Sequence, residues 1–153
     1  MLSTLGRSLL VFVFALFWAA TASAGTEPGR ASVRVTIHNV SARGGMMRLG
    51  LYTEQTYGDD SALPVASLDL PATAPTQNVE FTNVPPGTYA IEVLQDFNFD
   101  GKMDFSWLGL PLKPYGFSRD ARVYISRPDF ARVKIALDAG VNAPLTIHLR
   151  NSE

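Results

Sequence analysis

Apolar and polar side chains alternate in short runs along most of this chain, the pattern typical of strands that bury one face. In the clearest run, residues 32–40, Val33, Val35 and Ile37 share one side and polar residues the other. Similar runs lie at 46–52, 65–70, 78–84, 89–95, 130–137 and 145–150. No amphipathic helix of useful length is evident. The pattern predicts an all-β fold, an antiparallel β-sandwich of about seven strands.

Glycine and proline separate these runs. Arg43-Gly44-Gly45, Pro85-Pro86-Gly87 and Asp138-Ala139-Gly140 are predicted turns, and we expect a positive φ at Gly87. The segment 105–119 is rich in glycine, proline and aromatic residues and has no clear period. It is predicted to be an ordered excursion packed by its own side chains.

The N-terminus has the three parts of a secretory signal peptide: Arg7, an apolar run over residues 9–20, and Ala22-Ser23-Ala24 as the cleavage site. We therefore divide the chain into a signal peptide, 1–24, and a single β-sandwich domain, 25–153. A retained membrane anchor is the alternative, but the run is shorter than the roughly 18 residues that span a bilayer. The mature chain is expected to have no membrane span and to be exported, to the periplasm or outside the cell.

Composition excludes several classes of protein. The chain has no cysteine, so it has no disulfide, thiol nucleophile, cysteine-based zinc site or cysteine-linked lipid. Removal of Arg7 with the signal peptide leaves 12 basic side chains against 14 acidic ones. Since no basic stripe is present either, a nucleic-acid partner is not expected.

The strongest motif follows the predicted strand 89–95 and has the form D-x-N-x-D-G-x-x-D. A calcium loop takes oxygen ligands at positions one, three, five and nine, a backbone carbonyl at seven, and glycine at six for a sharp turn. The sequence therefore predicts calcium as a cofactor of this acidic loop. The predicted ligands are Asp96, Asn98, Asp100, the Lys102 carbonyl and Asp104.

Position twelve of the motif is Trp107 rather than the bidentate glutamate that completes a calcium loop. The missing ligand would then be water, a carbonyl or a distant carboxylate; the candidates are Asp59, Asp60 and Asp120. The alternative is a polar turn without metal, in which Asp96 and Asn98 cap nearby backbone amides.

Two further pairs of residues are candidates for binding a metal or a ligand. His38 and His148 lie on the polar sides of the first and last predicted strands and would face each other if those strands were neighbours. Without a third ligand they form a poor zinc set, so we interpret them as surface histidines. Tyr115 and Phe117 either line a groove for a sugar, peptide or lipid, or form the core of their own loop, which we favour.

No catalytic residues are assigned. The chain has no G-x-S-x-G motif, no cysteine, and no histidine beside a credible nucleophile. We expect a non-enzymatic protein of binding or structural type with a ligand or envelope partner that the sequence does not identify. The alternative is a small hydrolase whose active edge combines the acidic loop with the Tyr115 segment. A buried cleft joining Asp104, Asp120 and Tyr115, with a raised carboxylate pKa, would favour that alternative.

Four segments together resemble one exported bacterial family. They are PPGTYAI at 85–91, the acidic loop, and LGLP and KPYGFS at 108–111 and 113–118. Their order is similar to that of domain of unknown function 2141, over nearly all of the mature chain, except that Lys113 stands where an acid is more usual. The resemblance implies export and a transthyretin-like or immunoglobulin-like sandwich; it implies no particular activity.

Export can be tested directly. We expect cleavage after Ala24, so the N-terminal sequence of protein recovered from the cell envelope or the medium should begin at Gly25. Replacement of Ala24 by a bulky residue should block processing, because the cleavage site requires small side chains. Recovery of envelope protein that retains Met1 would contradict the assignment.

Overall fold

The computed structural model describes residues 29–124 and 126–150, and these form eight strands, one turn of α-helix and one 3-10 turn. The predicted signal peptide lies outside the described residues. Within the described ranges, no helix is long and apolar enough to cross a membrane. The strands are β1 (Ala31–His38), β2 (Met46–Tyr52), β3 (Ala66–Pro71), β4 (Thr76–Val84), β5 (Gly87–Asp96), β6 (Tyr115–Phe117), β7 (Ile135–Leu137) and β8 (Asn142–His148); the 3-10 turn is Ser118–Asp120 and α1 is Phe130–Val133.

The strands form two sheets. The smaller sheet has the order β4-β1-β8, and the larger has the order β3-β2-β5-β6, with β7 paired to the first residues of β5. Neighbours run antiparallel except β1 and β8, which run parallel from Ser32↔Asn142 to His38↔His148. The predicted all-β sandwich is confirmed.

The main core lies between the sheets and follows the alternation seen in the sequence. Val33, Val35 and Ile37 of β1 are fully buried, as are Met47 and Leu51 of β2. Their partners from β5 are Ile91 and Val93. Each such side chain contributes about 1.5–3 kcal/mol when it leaves water, so this alternation is the main source of stability.

Two segments differ from the sequence-based prediction. Residues 130–133 form a helical turn rather than a strand, because Phe130 and Val133 pack on the same side, against Phe117 and Ala121, in a second small core. The predicted excursion contains a short strand, β6, that pairs with β5. The large sheet is therefore one strand wider than its hydrophobic pattern indicates.

The expected positive φ at Gly87 is wrong. The left-handed residue of this connection is Asn83, with φ 57°, whereas Gly87 begins β5 in extended backbone. Glycine is still favoured there, since a Cβ at Gly87 would lie 3.2 Å from the Tyr89 ring.

The β1–β2 turn is held against the end of β5 by Gln95, which is fully buried. Its Nε2 donates to the carbonyls of Ser41 and Gly44 at 2.8 Å, and its Oε1 accepts from the Ser41 amide. Gly45 has φ 89°, and a Cβ there would lie 2.4 Å from the Asp96 carbonyl oxygen. The turn is thus seated directly on the residue that begins the acidic loop.

Substitution of the two turn glycines should separate backbone strain from steric conflict. Gly44→Ala should cost about 1 kcal/mol, because Gly44 has φ 75° but no neighbour near its would-be Cβ. Gly45→Ala should cost roughly 2–4 kcal/mol, since the added carbon meets backbone that cannot move without shifting β5. Urea unfolding of both variants measures the difference, and equal costs would show that the turn is not seated on Asp96.

Candidate functional site

The acidic loop leaves the end of β5 and returns to the sheet just before β6. Asp96 is the last residue of β5, and Gly101 makes the sharp turn at position six with φ 73°. The return segment ends at Lys113, whose side chain is only 2% exposed. Lys113 is therefore brought back to the loop by the pairing of β6 with β5.

The ammonium group of Lys113 lies at the point on which the oxygens of the loop converge. Its Nζ is 2.9 Å from Asp96 Oδ1, 2.5 Å from Asn98 Oδ1 and 2.6 Å from Asp100 Oδ1. It is also 2.7 Å from the Lys102 carbonyl oxygen and 3.2 Å from Asp104 Oδ2. These are the five predicted metal ligands, and the geometry does bring them together.

Asp96 connects this cluster to the sheet. Its second carboxylate oxygen accepts from Arg48 Nε at 2.9 Å and from the Gly101 amide at 2.7 Å. Arg48 in turn donates to Asp69 of β3 at 2.6 Å. The fully buried Asp96 carboxylate thus accepts from two cationic side chains and one backbone amide.

These contacts shift the pKa values of the cluster. Burial acts to raise the pKa of Asp96, but hydrogen bonds from Lys113, Gly101 and Arg48 outweigh it and hold that pKa well below its usual range. The hydrogen bond from Lys113 also lowers the pKa of Asp100. Burial acts to lower the pKa of Lys113, and its bonds to Asp100, Asp96 and Asp104 raise it further than burial lowers it. Asp96, Asp100 and Lys113 are therefore charged at neutral pH.

The other residues considered for the metal lie elsewhere. Trp107, at the position of the missing ligand, is 92% exposed. Asp59 binds Ser61, Asp60 binds Arg127, and Asp120 binds His148 and Arg150. Across the described ranges, no group of three or more His, Cys, Asp or Glu side chains is arranged to hold a metal ion.

Sequence reasoning overlooked the role of Lys113. One signal was available, because Lys113 is the only charged residue between Phe105 and Ser118. A single lysine in an uncharged segment that rejoins the sheet has few ways to be buried except beside acids.

His38 and His148 are neighbours across the parallel β1–β8 pair, and their rings stack with centroids 5.0 Å apart. His38 Nδ1 lies 3.1 Å from Thr76 Oγ1, and His148 Nδ1 lies 3.1 Å from Asp120 Oδ2. Both rings are partly exposed to solvent. The pair is held by hydrogen bonds at one nitrogen of each ring, as expected of surface histidines on adjacent strands.

A cleft of about 720 Å³ lies on the outer face of the larger sheet. Its floor contains Gly50 and Tyr52 of β2, Glu92 and Leu94 of β5, and Tyr115 of β6. One wall is the acidic loop and its return, with Met103, Phe105 and Pro111. The opposite wall comes from the segment after β2, with Asp59 and Asp60, and from Arg127.

Arg127 supplies the polar contacts of this opposite wall. Its Nε lies 3.2 Å from Glu92 Oε1, and its Nη2 donates to Asp60 at 2.9 Å. Glu92 Oε1 is buried and has no well-oriented hydrogen bond. Burial raises the pKa of Glu92, and the charge of Arg127 offsets part of that rise.

Tyr115 and Phe117 combine the two roles considered for them. Both line the cleft. Phe117 is largely buried in the second core with Ala90, Ala121 and Val133, whereas Tyr115 is half-buried. Asp120 does not line the cleft, and its pKa is lowered because hydrogen bonding to the His148 amide and the Arg150 charge outweigh burial. The arrangement expected of a hydrolase, joining Asp104, Asp120 and Tyr115, is therefore not present in the described residues.

Comparison with known proteins identifies the family. Residues 35–143 match the model of a family of uncharacterized proteins conserved in bacteria, domain of unknown function 2141. The chain belongs to this family. The match includes β2 to β7, the acidic loop and Lys113, so the residues of the cluster and of the cleft all lie within it. No curated protein and no solved structure matches the chain.

The lowered carboxylate pKa values predict the pH dependence of stability. In the unfolded chain, aspartates titrate near a pKa of about 3.9. Since Asp96 and Asp100 have lower values in the folded protein, it binds fewer protons than the unfolded chain in mild acid. The stabilisation is complete above about pH 5 and is lost as pH falls through the folded-state values.

Urea unfolding at pH 7, 5, 4 and 3 measures this effect. Asp100→Asn should flatten the fall in the free energy of unfolding below pH 5, because it removes one of the titrating groups. Asp138→Asn serves as the control, since Asp138 lies next to β7 at the opposite end of β5. Identical pH profiles for the parent and Asp100→Asn would contradict the assignment.

Proposed function

We propose that this protein is an exported, non-enzymatic binding module, and that the cleft on the larger sheet takes a neutral, hydroxyl-rich ligand such as a short oligosaccharide. The observation that supports this most is that both arginines of the cleft are already paired. Arg48 binds Asp69 and Asp96, and Arg127 binds Glu92 and Asp60.

Paired charges disfavour an ionic ligand. A charged group would have to replace one of these ion pairs, and the displaced side chain would stay in the cleft without its partner. A hydroxyl group needs no such exchange. Guanidinium groups retain further N–H donors and carboxylates retain further lone pairs, so a polyol can add hydrogen bonds to existing pairs. Asp60, which is exposed and pairs with Arg127 through Oδ1, offers acceptors of this kind.

The wall formed by the acidic loop and its return suits the apolar face of a sugar ring. Met103, Phe105 and Pro111 provide carbon surface, and Tyr115 adds a half-buried aromatic ring to the floor. The combination of an apolar wall with a few convergent polar groups is typical of small-molecule sites, and the volume of about 720 Å³ is within their usual range.

The non-enzymatic interpretation is supported by the commitment of the acidic side chains. Asp96, Asp100 and Asp104 bind Lys113, and Glu92 binds Arg127. A glycoside hydrolase typically requires one carboxyl group to hold a proton and another to be free as base or nucleophile. Export, to the periplasm or beyond, is proposed from the signal peptide alone.

Calorimetric titration with maltohexaose, cellohexaose and chitohexaose tests the proposal. We expect at least one of them to bind with a dissociation constant on the order of 0.1–1 mM, and hexagalacturonate, which is anionic, to bind more weakly. Phe105→Ala should weaken binding about fivefold or more, because the ring forms part of the apolar wall. Phe99→Ala is the matched control, since both rings are 60% exposed and Phe99 does not line the cleft.

Three outcomes would contradict the proposal. They are the absence of binding to all three neutral probes, equal losses for the two phenylalanine variants, and tighter binding of hexagalacturonate. Chromatography of each probe after incubation addresses the alternative directly: shortened products that disappear in Glu92→Gln would identify a hydrolase.

A further inference from the structure

We infer that the Lys113 ammonium is the resident cation of the acidic loop, in the place that calcium takes in loops of this pattern, and that the fold is therefore independent of calcium. This inference concerns a different part of the molecule from the proposed ligand site. Either can fail without the other, because the cleft is tested with sugars and the loop with metal ions.

The donor geometry is that of a cation site, and its five donor oxygens are fewer than calcium takes. Four side-chain oxygens and one carbonyl oxygen surround Lys113 Nζ at 2.5–3.2 Å. Calcium would be bound at about 2.3–2.6 Å by six to eight oxygens. Charge-assisted N–H···O bonds fall near 2.7–2.9 Å, and three N–H groups can share five oxygens through forked bonds.

The charges of the cluster also require a cation at this point. Asp96, Asp100 and Asp104 place three carboxylates around one centre, and Asp96 is fully buried. Without a cation the mutual repulsion of these carboxylates would destabilise the folded loop and favour its opening. Lys113 and Arg48 together supply two positive charges from within the chain.

Calcium would have to displace this ammonium rather than join it. Lys113 Nζ already occupies the point on which the five oxygens converge, so calcium cannot take that position while the ammonium stays there. Its backbone is fixed as well, because the neighbouring Pro114 carbonyl accepts from the Gln95 amide at 2.8 Å. Displacement would either leave a charged amine close to a divalent ion, which is repulsive, or require this fixed backbone to move so that the amine reaches the surface.

Lys113 also occupies the place from which a sixth ligand would come. A calcium loop is completed by a bidentate carboxylate. The residue at position twelve of this loop, Trp107, is exposed and has no side-chain oxygen to offer. A glutamate at 113 would enter the centre from the same backbone position. Calcium with that glutamate carries the same net charge of about +1 as the lysine ammonium. Lys113→Glu should therefore convert the loop into a calcium site.

The experiment compares the parent with Lys113→Glu and Lys113→Gln in EDTA and in 5 mM calcium. The parent should melt at the same temperature in both and should give no sensitised terbium emission through Trp107. Both variants should melt roughly 10–20 °C lower in EDTA, because they remove one member of a buried ion pair. Calcium should restore Lys113→Glu, with terbium emission, and leave Lys113→Gln unchanged.

Lys102→Glu is the matched control. It makes the same charge change in the same loop, but the Lys102 side chain is exposed and only its carbonyl faces the centre. It should gain no calcium response. A calcium-dependent rise in the melting temperature of the parent would overturn the inference in favour of a metal-held loop. So would failure of Lys113→Glu to respond to calcium, or unchanged melting of Lys113→Gln in EDTA.

Discussion

The contact between the buried Lys113 ammonium and the oxygens of the acidic loop determines how one end of the larger sheet is assembled. Through Asp96 this cluster reaches β5, through Arg48 it reaches β2, and through Asp69 it reaches β3. Lys113 itself lies two residues before β6. A continuous series of ion pairs therefore links β3, β2 and β5 to the segment that leads into β6.

Such a series need not add net stability. Removal of charges from water costs free energy that their attraction repays only when geometry and hydrogen bonding are good. Here the second oxygen of Asp96 accepts hydrogen bonds from Arg48 and the Gly101 amide, so the hydrogen bonding needed to offset the lost hydration is present. The clearer consequence is positional, because the same loop carries Phe105 and Pro111 over the sheet and shapes the wall of the cleft.

The strands could be predicted from the sequence where one face is buried in the main core, as in β1, β2 and β5. The prediction failed where residues serve the second, smaller core. Phe130 and Val133 are three residues apart, which suits one face of a helical turn, but a single pair is too short a pattern to predict a helix. The packing partners that decide the conformation, Phe117 and Ala121, come from another part of the chain. The short β6 has no period of its own and exists because β5 offers it an edge.

The convergence of the loop oxygens was predictable because the motif is local, but the identity of their cation was not. Lys113 is nine residues beyond the last predicted ligand, and only the return of the chain to β6 brings it to the centre. The cleft could not be predicted from the sequence for the same reason, because Glu92 and Arg127 pair across a long separation in sequence.

A covalently attached cation changes what the stability of the loop depends on. A calcium loop without its twelfth ligand would bind weakly, on the order of 10⁻⁴–10⁻³ M, and its contribution to stability would rise and fall with the calcium concentration around the protein. The lysine is present at every ion concentration. Its carboxylate partners still titrate, so the stability of the loop depends on pH instead of on the calcium concentration. The lowered pKa of Asp96 determines how far the pH must fall before the cluster opens.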